Sequence, residues 1–285
     1  MIMGRRKGPA ELILVTLLRG QGALELFSAR AGNFLSGLAL GLLDDSALVR
    51  LTISSYDRRG TYNAQQIRDW EVDWFAADLP SPPARLLVGA AGSGREVAHL
   101  EEQGYEVFAF EPASRYVQNA NQTSRLGRPM LEGSYDDLLD QSSLLQQRLS
   151  AERSFDGILL GWGSITHVPG QDRRIAMFKK LRLLCPRGPL LASFCLAQGR
   201  TQPGLSRARN AGLRVARLLG GSGDDPSMDG ISGSHGYAHW FTDEELQELA
   251  AESGYRLKNQ VLATAFPYPH ATFLPAQDDS LEQGK

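Results

Sequence analysis

The sequence predicts a doubly wound α/β sheet of seven strands, preceded by a helical extension. Three observations predict it. Residues 1–78 carry apolar side chains at three- and four-residue spacing and lack alternating runs. A stiff segment, Leu79-Pro80-Ser81-Pro82-Pro83, follows. Beyond it short apolar strands alternate with helices several times over, the pattern of a sheet covered on both faces.

In order, Glu11–Leu18, Ala23–Phe27, Phe34–Leu43 and Ala47–Ile53 read as helical, with Gly20, Gly22 and Gly32 as breaks and Asp44-Asp45-Ser46 as a cap. Tyr56-Asp57-Arg58-Arg59-Gly60 interrupts the pattern, and Thr61 to Ala77 reads as one more amphipathic helix. Arg85–Ala90 is the first strand and runs into glycines. Glu96–Gln103 is a helix stopped by Gly104, and Tyr105–Phe110 is the second strand. A helix from Ser114 leads to a third strand at Met130-Leu131, and Phe155–Gly161 is the fourth. Asp172 caps a helix to Leu184, and Pro186–Gly188 turns the chain into the fifth strand, Pro189–Cys195. Thr242-Asp243-Glu244-Glu245 is a capping box for a helix ending at Gly254. Arg256–Ala263 and His270–Leu274 complete the strands. The expected organisation is a helical cap over residues 1–78, a ligand-binding domain over 79–275 and a frayed polar tail over 276–285.

Composition narrows the function. A formal charge of −2 over 285 residues gives no general basic surface, so a nucleic-acid partner is not expected. Twenty-five of the 30 basic residues are Arg, which suits planar, bidentate contacts. Cys185 and Cys195 form neither a disulfide framework nor a metal-ligand cluster. No apolar run approaches the roughly 20 residues of a membrane span. Arg5-Arg6-Lys7 before Ile13-Leu14-Val15 lacks a clean cleavage site, so the start reads as a helix of a cytoplasmic protein.

The chemistry is expected beyond the carboxyl ends of the strands, beside the first one. There the chain reads Leu86-Leu87-Val88-Gly89-Ala90-Ala91-Gly92-Ser93-Gly94-Arg95-Glu96, and its glycines let a ligand approach the start of a helix. The second strand ends in Glu111-Pro112, seventeen residues after Gly94. A carboxylate at that tip accepts two hydrogen bonds from a ribose diol, which points to an adenosine ligand. The third glycine of a dinucleotide loop is missing, since Val97 stands three after Gly94, and no phosphate-binding GxxxxGK[ST] loop exists.

With these pieces the chain resembles the class I S-adenosylmethionine-dependent methyltransferases. Leu86–Gly94 and Phe110-Glu111-Pro112 match their first two motifs. Gly133-Ser134-Tyr135-Asp136-Asp137 fits the loop after strand three, Phe155–Gly163 fits strand four, and Leu181–Leu191 fits the helix and turn into strand five. The resemblance covers roughly residues 60–274. It implies a Rossmann-like, mostly parallel sheet with strand seven antiparallel between five and six, S-adenosylmethionine as cofactor and S-adenosylhomocysteine as product. Gly89, Ala90, Gly92, Gly94, Glu111, Pro112, Tyr135, Asp136, Gly161 and Trp162 are the implied cofactor residues. Two positions depart from the family. Val88 stands where an acid faces the methionine amino group, leaving the carbonyls of Gly89 and Gly161 as acceptors, and Ala90 replaces the first motif glycine.

A sulfonium already activates its methyl group, so the protein must hold donor and nucleophile in line and exclude water. A base is needed only for an acceptor that loses a proton. His167, five residues past Trp162, is the candidate base; a loop histidine bonded to backbone is the rival reading. Tyr62 covers the methionine end or packs its helix on the sheet. Asp136 meets the adenine amino group or, with Asp137, caps a helix. Asp172 reads as a cap. Tyr56, His239 and Trp240 are pocket candidates, the last two equally fitted to anchor the final helix. The Arg-rich segment Arg200–Leu219, with Gly and Ser through Gly236, reads as a lid over the acceptor, spanning about 200–235, or as a solvated basic helix. Tyr62-Asn63, Trp70-Glu71 and the run His239-Trp240-Phe241-Thr242 resemble segments of uncharacterised bacterial methyltransferases.

Subclass motifs for adenine, glutamine, cytosine and metal-dependent catechol methylation are missing, which leaves a small organic acceptor with an oxygen or nitrogen nucleophile. The alternative, motivated by Val88 and Ala90, is a non-catalytic cofactor-binding subunit that acts through a partner or through a homodimer formed by its N-terminal helices.

Overall fold

The computed structural model describes residues 9–59, 66–123, 126–197, 203–221, 228–262 and 268–276. The chain divides into two compact units, residues 1–43 with 200–232 and residues 44–199 with 233–285.

The first unit contains α1 (Pro9–Leu42), α9 (Pro203–Leu218) and a short strand, β6 (Asp229–Ser232). The two helices approach to backbone contact because glycines line the crossing. A Cβ on Gly37 would lie 2.0 Å from the carbonyl oxygen of Arg209, and one on Gly212 would lie 2.1 Å from that of Phe34. Leu213 and Ala216 are buried along the same face of α9. In the segment read as a lid, Leu213 and Ala216 therefore pack at Gly41 of α1, while Val215 and Leu218 are exposed. The Ile231 N–H donates to Ser36 Oγ at 3.0 Å, fastening β6 to α1.

The expected division at residue 78 is corrected in two ways. Gly20, Gly22 and Gly32 do not break α1, which runs 34 residues. An interior glycine costs about 1 kcal/mol, and the Leu, Ala and Glu residues around these positions favour helix strongly enough to carry it. Residues 44–78 group with the sheet.

The second unit begins with α2 (Asp45–Arg59) and α3 (Asp69–Asp78). Asp44 Oδ1 accepts from the Ala47 N–H at 2.7 Å, as the predicted cap requires. The helix continues through Tyr56–Arg59, where an interruption was expected; Gly60 lies outside the described residues. Residues 66–68 are not helical; α3 starts where Glu71 reaches back to accept the Arg68 N–H at 3.1 Å. The sheet then alternates with helices: β1 (Arg85–Gly89), α4 (Arg95–Glu102), β2 (Glu106–Glu111), α5 (Ser114–Thr123), β3 (Leu131–Glu132), α6 (Tyr135–Leu139), α7 (Leu144–Ser150), β4 (Gly157–Leu160), α8 (Gln171–Leu184) and β5 (Leu190–Ser193). The strands β7 (Gly236–His239), β8 (Tyr255–Val261) and β9 (His270–Pro275) follow, with α10 (Asp243–Glu252) after β7. Gly170, not Asp172, occupies the cap position of α8.

The seven-stranded sheet has the order β3-β2-β1-β4-β5-β9-β8, parallel except for β9, which runs antiparallel to both β5 and β8. Successive side chains alternate between faces. Leu87, Phe108, Phe110, Ile158 and Leu160 pack on one side with Phe178 and Phe273. Leu86, Val88, Val107, Ala109 and Leu159 pack on the other with Trp74, Phe75 and Leu100. The central strands are buried on both faces, which is why they read as continuous apolar runs.

Polar bonds tie α3 to the last two strands. Trp74 Nε1 donates to Thr272 Oγ1 at 2.8 Å, that hydroxyl donates to Asp78, and Lys258 Nζ lies 2.7 Å from the same carboxylate. Burial opposes ionisation of Asp78, but the Lys258 and Thr272 bonds outweigh it and hold the carboxyl below its usual range. That stabilisation is present above the unfolded carboxylate pKa and disappears as pH falls through the lower folded value. Thr272→Val should cost about 1–3 kcal/mol in urea unfolding at neutral pH, because it leaves Trp74 and Asp78 buried and short of partners. The gap between wild type and Asp78→Asn should close as the solution is acidified.

Candidate active site

The site assembles where β1, β2 and β4 end. After Gly89 the backbone turns through Ala90 at φ 51°, Gly92 at φ 55° and Gly94 at φ 83°. Gly94 is the residue before α4, so the first free N–H groups of that helix face the loop. Ala90 is the only described non-glycine residue in the left-handed region. A Cβ on Gly92 would meet nothing within 4 Å, so the loop opens onto free space there. Across the strands, the Gly161 N–H donates to the Gly89 carbonyl at 2.7 Å, and a Cβ on Gly161 would strike the Ala90 carbonyl. That close contact brings the fourth strand's tip against the loop.

Glu111 closes the loop from the second strand. One carboxylate oxygen accepts the Gly92 N–H and the other the Ala113 N–H, each at 2.9 Å. Burial, reinforced by the nearby negative charges of Glu96 and Asp57, raises its pKa to about 7 against the pull of the two backbone bonds. Each oxygen keeps a lone pair for a further donor. Pro112 follows, half-buried, at the turn into α5.

Two residues the sequence reading passed over, Glu71 and Arg95, lie next to the loop. Glu71 is buried and receives a bidentate bond from the Arg95 guanidinium, at 2.6 and 2.8 Å, while Arg95 also meets Glu96 at 2.5 Å. The guanidinium groups of Arg68 and Arg95 lie 5.3 and 5.2 Å from the Trp162 ring. Trp162 Nε1 is buried without an acceptor among the described residues. The sequence held one signal, since Arg95 directly follows the loop and Glu71 sits in the noted Trp-Glu pair. Tyr62 lies outside the described residues.

The loop after β4 forms a 3-10 turn, Ser164–His167. Ser164 Oγ and Tyr135 Oη are 2.7 Å apart, and Thr166 Oγ1 accepts the Cys195 N–H at 2.9 Å. His167 Nδ1 lies 2.6 Å from the Tyr237 carbonyl and Nε2 lies 2.9 Å from the Tyr56 hydroxyl. A carbonyl only accepts, so Nδ1 carries the proton. Nε2 of the neutral ring then accepts from Tyr56. Burial lowers the His167 pKa and keeps the ring neutral. The Tyr237 N–H donates to Thr52 Oγ1 of α2 at 2.9 Å, so β7 holds both partners of the pair. His167 is thus bonded to backbone, as the rival reading held, and also to a phenol on α2.

Other candidates have structural partners. Asp136 forms an ion pair with Arg173, and Asp137 caps α6 by accepting the Ser134 N–H at 2.7 Å. His239 is buried, 3.5 Å from Glu245, whose carboxylate also accepts the Thr242 N–H at 2.8 Å; it anchors the start of α10. Trp240 is half-buried beside it. The Gly89 carbonyl takes the Gly161 N–H, and the Gly161 carbonyl takes the Ser164 N–H at 2.9 Å, each keeping one lone pair.

No protein-family model and no curated protein matches the chain. Solved structures do. Magnesium protoporphyrin IX methyltransferase from Synechocystis PCC 6803, with bound S-adenosylmethionine, shares 15% identity over 82% of this chain and 98% of its own, at a TM-score of 0.51. The CcbJ methyltransferase from Streptomyces caelestis shares 17% over 76% and 93%, also at 0.51. A putative Zn-dependent alcohol dehydrogenase from Rhodobacter sphaeroides shares 15% over 80% and 98%, at 0.54. The names differ in chemistry, and at such identities the likeness is one of fold. That fold is the Rossmann-like one of the class I methyltransferases, with β9 antiparallel between β5 and β8 where a dinucleotide sheet adds a parallel sixth strand. Among the described residues no cluster of His, Cys, Asp or Glu is placed to hold a metal ion, and no helix is long and apolar enough to cross a membrane.

Ala90 bears strain that glycine would not. Ala90→Gly should raise stability by about 1 kcal/mol, measured by chemical denaturation, since release from the left-handed region exceeds the added chain entropy.

Proposed function

We propose that this protein transfers the methyl group of S-adenosylmethionine to an oxygen or nitrogen of a small organic acceptor. The observation that carries the reading is the Tyr56–His167 pair, a phenol bonded to a neutral imidazole in the turn that follows β4. The residues present fit the cofactor. Glu111 would accept the ribose hydroxyls, Gly92 and Gly94 admit a ligand at the loop, and the orphaned Trp162 Nε1–H suits a carboxylate such as that of the methionine end. Arg68 and Arg95 add positive charge there, while Glu71, Glu96 and the free lone pairs of the Gly89 and Gly161 carbonyls suit the amino group. Tyr135 and the α6 start border the adenine end.

When bound, the cofactor supplies an activated methyl and leaves as S-adenosylhomocysteine. The chain's own part is proton movement and alignment. Tyr56 Oη takes the acceptor's proton while its own proton passes to His167 Nε2. The imidazolium so formed donates from Nδ1 to the Tyr237 carbonyl, a fixed acceptor that stabilises the new charge. An acceptor that arrives as a free amine needs no base, and the pair then orients it.

Calorimetry should detect binding of both S-adenosylmethionine and S-adenosylhomocysteine. Glu111→Ala should weaken both by about tenfold or more, as expected for lost charge-assisted bonds. Wild-type affinity should rise as pH passes upward through about 7, because the ionised Glu111 accepts more strongly, and the rise should vanish in Glu111→Gln. In a labelled-donor screen of small acceptors, Tyr56→Phe and His167→Asn should each lower kcat by about 100-fold or more for hydroxyl acceptors with cofactor binding intact. Cofactor binding without turnover of any acceptor would favour the non-catalytic subunit instead.

We also propose a homodimer through the N-terminal helix α1, compatible with either reading. Leu24, Phe27 and Leu35 are large apolar residues exposed along that helix. Such a surface favours a partner. Sedimentation should give a dimer for the wild type and a monomer for Phe27→Glu with Leu35→Glu.

A further inference from the structure

A cleft lies along α2, on residues other than Tyr56. It has a volume of about 610 Å³ and is lined by Arg50, Ile53, Ser54, Asp57, Arg58 and Arg115. The five α2 positions follow the three- and four-residue spacing of one helix face. Tyr56 stands two residues from Ser54, about 200° round the helix, so it faces the other way. Arg115, in the first turn of α5, supplies the opposite wall.

The charges there are unbalanced. Arg50, Arg58 and Arg115 are exposed, and none has a carboxylate partner among the described residues. The Arg58 guanidinium rests on two neutral hydroxyls, Ser54 Oγ and Ser55 Oγ, each at 3.3 Å. Asp57 is the one acid among the described lining residues, and its carboxylate accepts the backbone N–H of Arg115 at 2.9 Å. Three guanidinium groups against one carboxylate leave a local charge of about +2 in a chain whose net charge is −2. Uncompensated like charges converging on one concave surface repel one another, and an anion between them removes that cost. Guanidinium forks bond two oxygens at a time. With the Ser54 hydroxyl they supply more donors than a single carboxylate can accept, and a tetrahedral group with three terminal oxygens matches the set better.

We propose that this cleft binds the phosphate group of a small phosphorylated molecule. The proposal does not depend on the methyltransferase reading, because it is tested without cofactor or acceptor. Titrating the full chain with inorganic phosphate, with chloride used to match ionic strength, should give saturable heat and a rise in Tm. Acetate at the same ionic strength should give neither. Arg58→Gln with Arg115→Gln should weaken phosphate binding by about tenfold or more. Arg187→Gln, an exposed arginine elsewhere, should leave it unchanged. Both variants alter exposed side chains, and unchanged far-UV circular dichroism would confirm their folding. No phosphate binding by the wild type would overturn the site. Equal binding by the double variant would place the anion elsewhere, and equal binding of acetate would overturn the phosphate assignment.

Discussion

The carboxylate of Glu111 holds the ends of three chain segments in one place. It takes N–H groups from the glycine loop and from the turn into α5 while sitting at the tip of β2. Its own ionisation is opposed by the burial that makes those bonds strong, so its charge is poised near neutrality. In a loop with three left-handed residues, the Gly92 N–H finds its acceptor in this side chain. The same bond also explains how Ala90 is tolerated. The loop is held at both ends, by Glu111 on one side and by the Gly161 contact on the other, and the strain is carried between them.

The absence of an acid within β1 has a clear physical setting. Val88 lies in the apolar layer formed with Trp74, Phe75 and Leu159. Negative charge near the loop comes from a different direction, through Glu71 of α3 and Glu96 of α4, with Arg95 between them. Two buried acids share one arginine, and the arrangement lets the sheet interior remain apolar. The same arginine lies on Trp162, so the tip of β4 and the start of α4 are joined through a charge and a ring.

The alternating half of the fold was legible because strands buried on both faces leave continuous apolar runs, as at Leu86–Gly89 and Gly157–Leu160, and because Thr242 and Glu245 spell a helix start. The antiparallel last strand came from family resemblance. The helical portion was misread where local signals and tertiary packing disagree. Gly20, Gly22 and Gly32 look like breaks but lie inside α1, and a further glycine, Gly37, lets another helix approach. Short elements such as α6, α7 and β7 carry too few periods to register. Within the site, Glu111 and the loop were visible as a spacing. The Tyr56–His167 bond was not, since it spans 111 residues and depends on β7 holding both members. Both residues had been singled out, but nothing in a linear text couples them.

The link from Thr52 through Tyr237 to His167 has a mutational consequence. The loop and Glu111 are built from the tips of central strands, which the core cannot alter without loss. Tyr56 and its support come from α2 and β7, outside the repeating strand–helix order. The two groups are therefore built from separate elements: a substitution in α2 or β7 reaches the Tyr56–His167 pair without touching the strand tips.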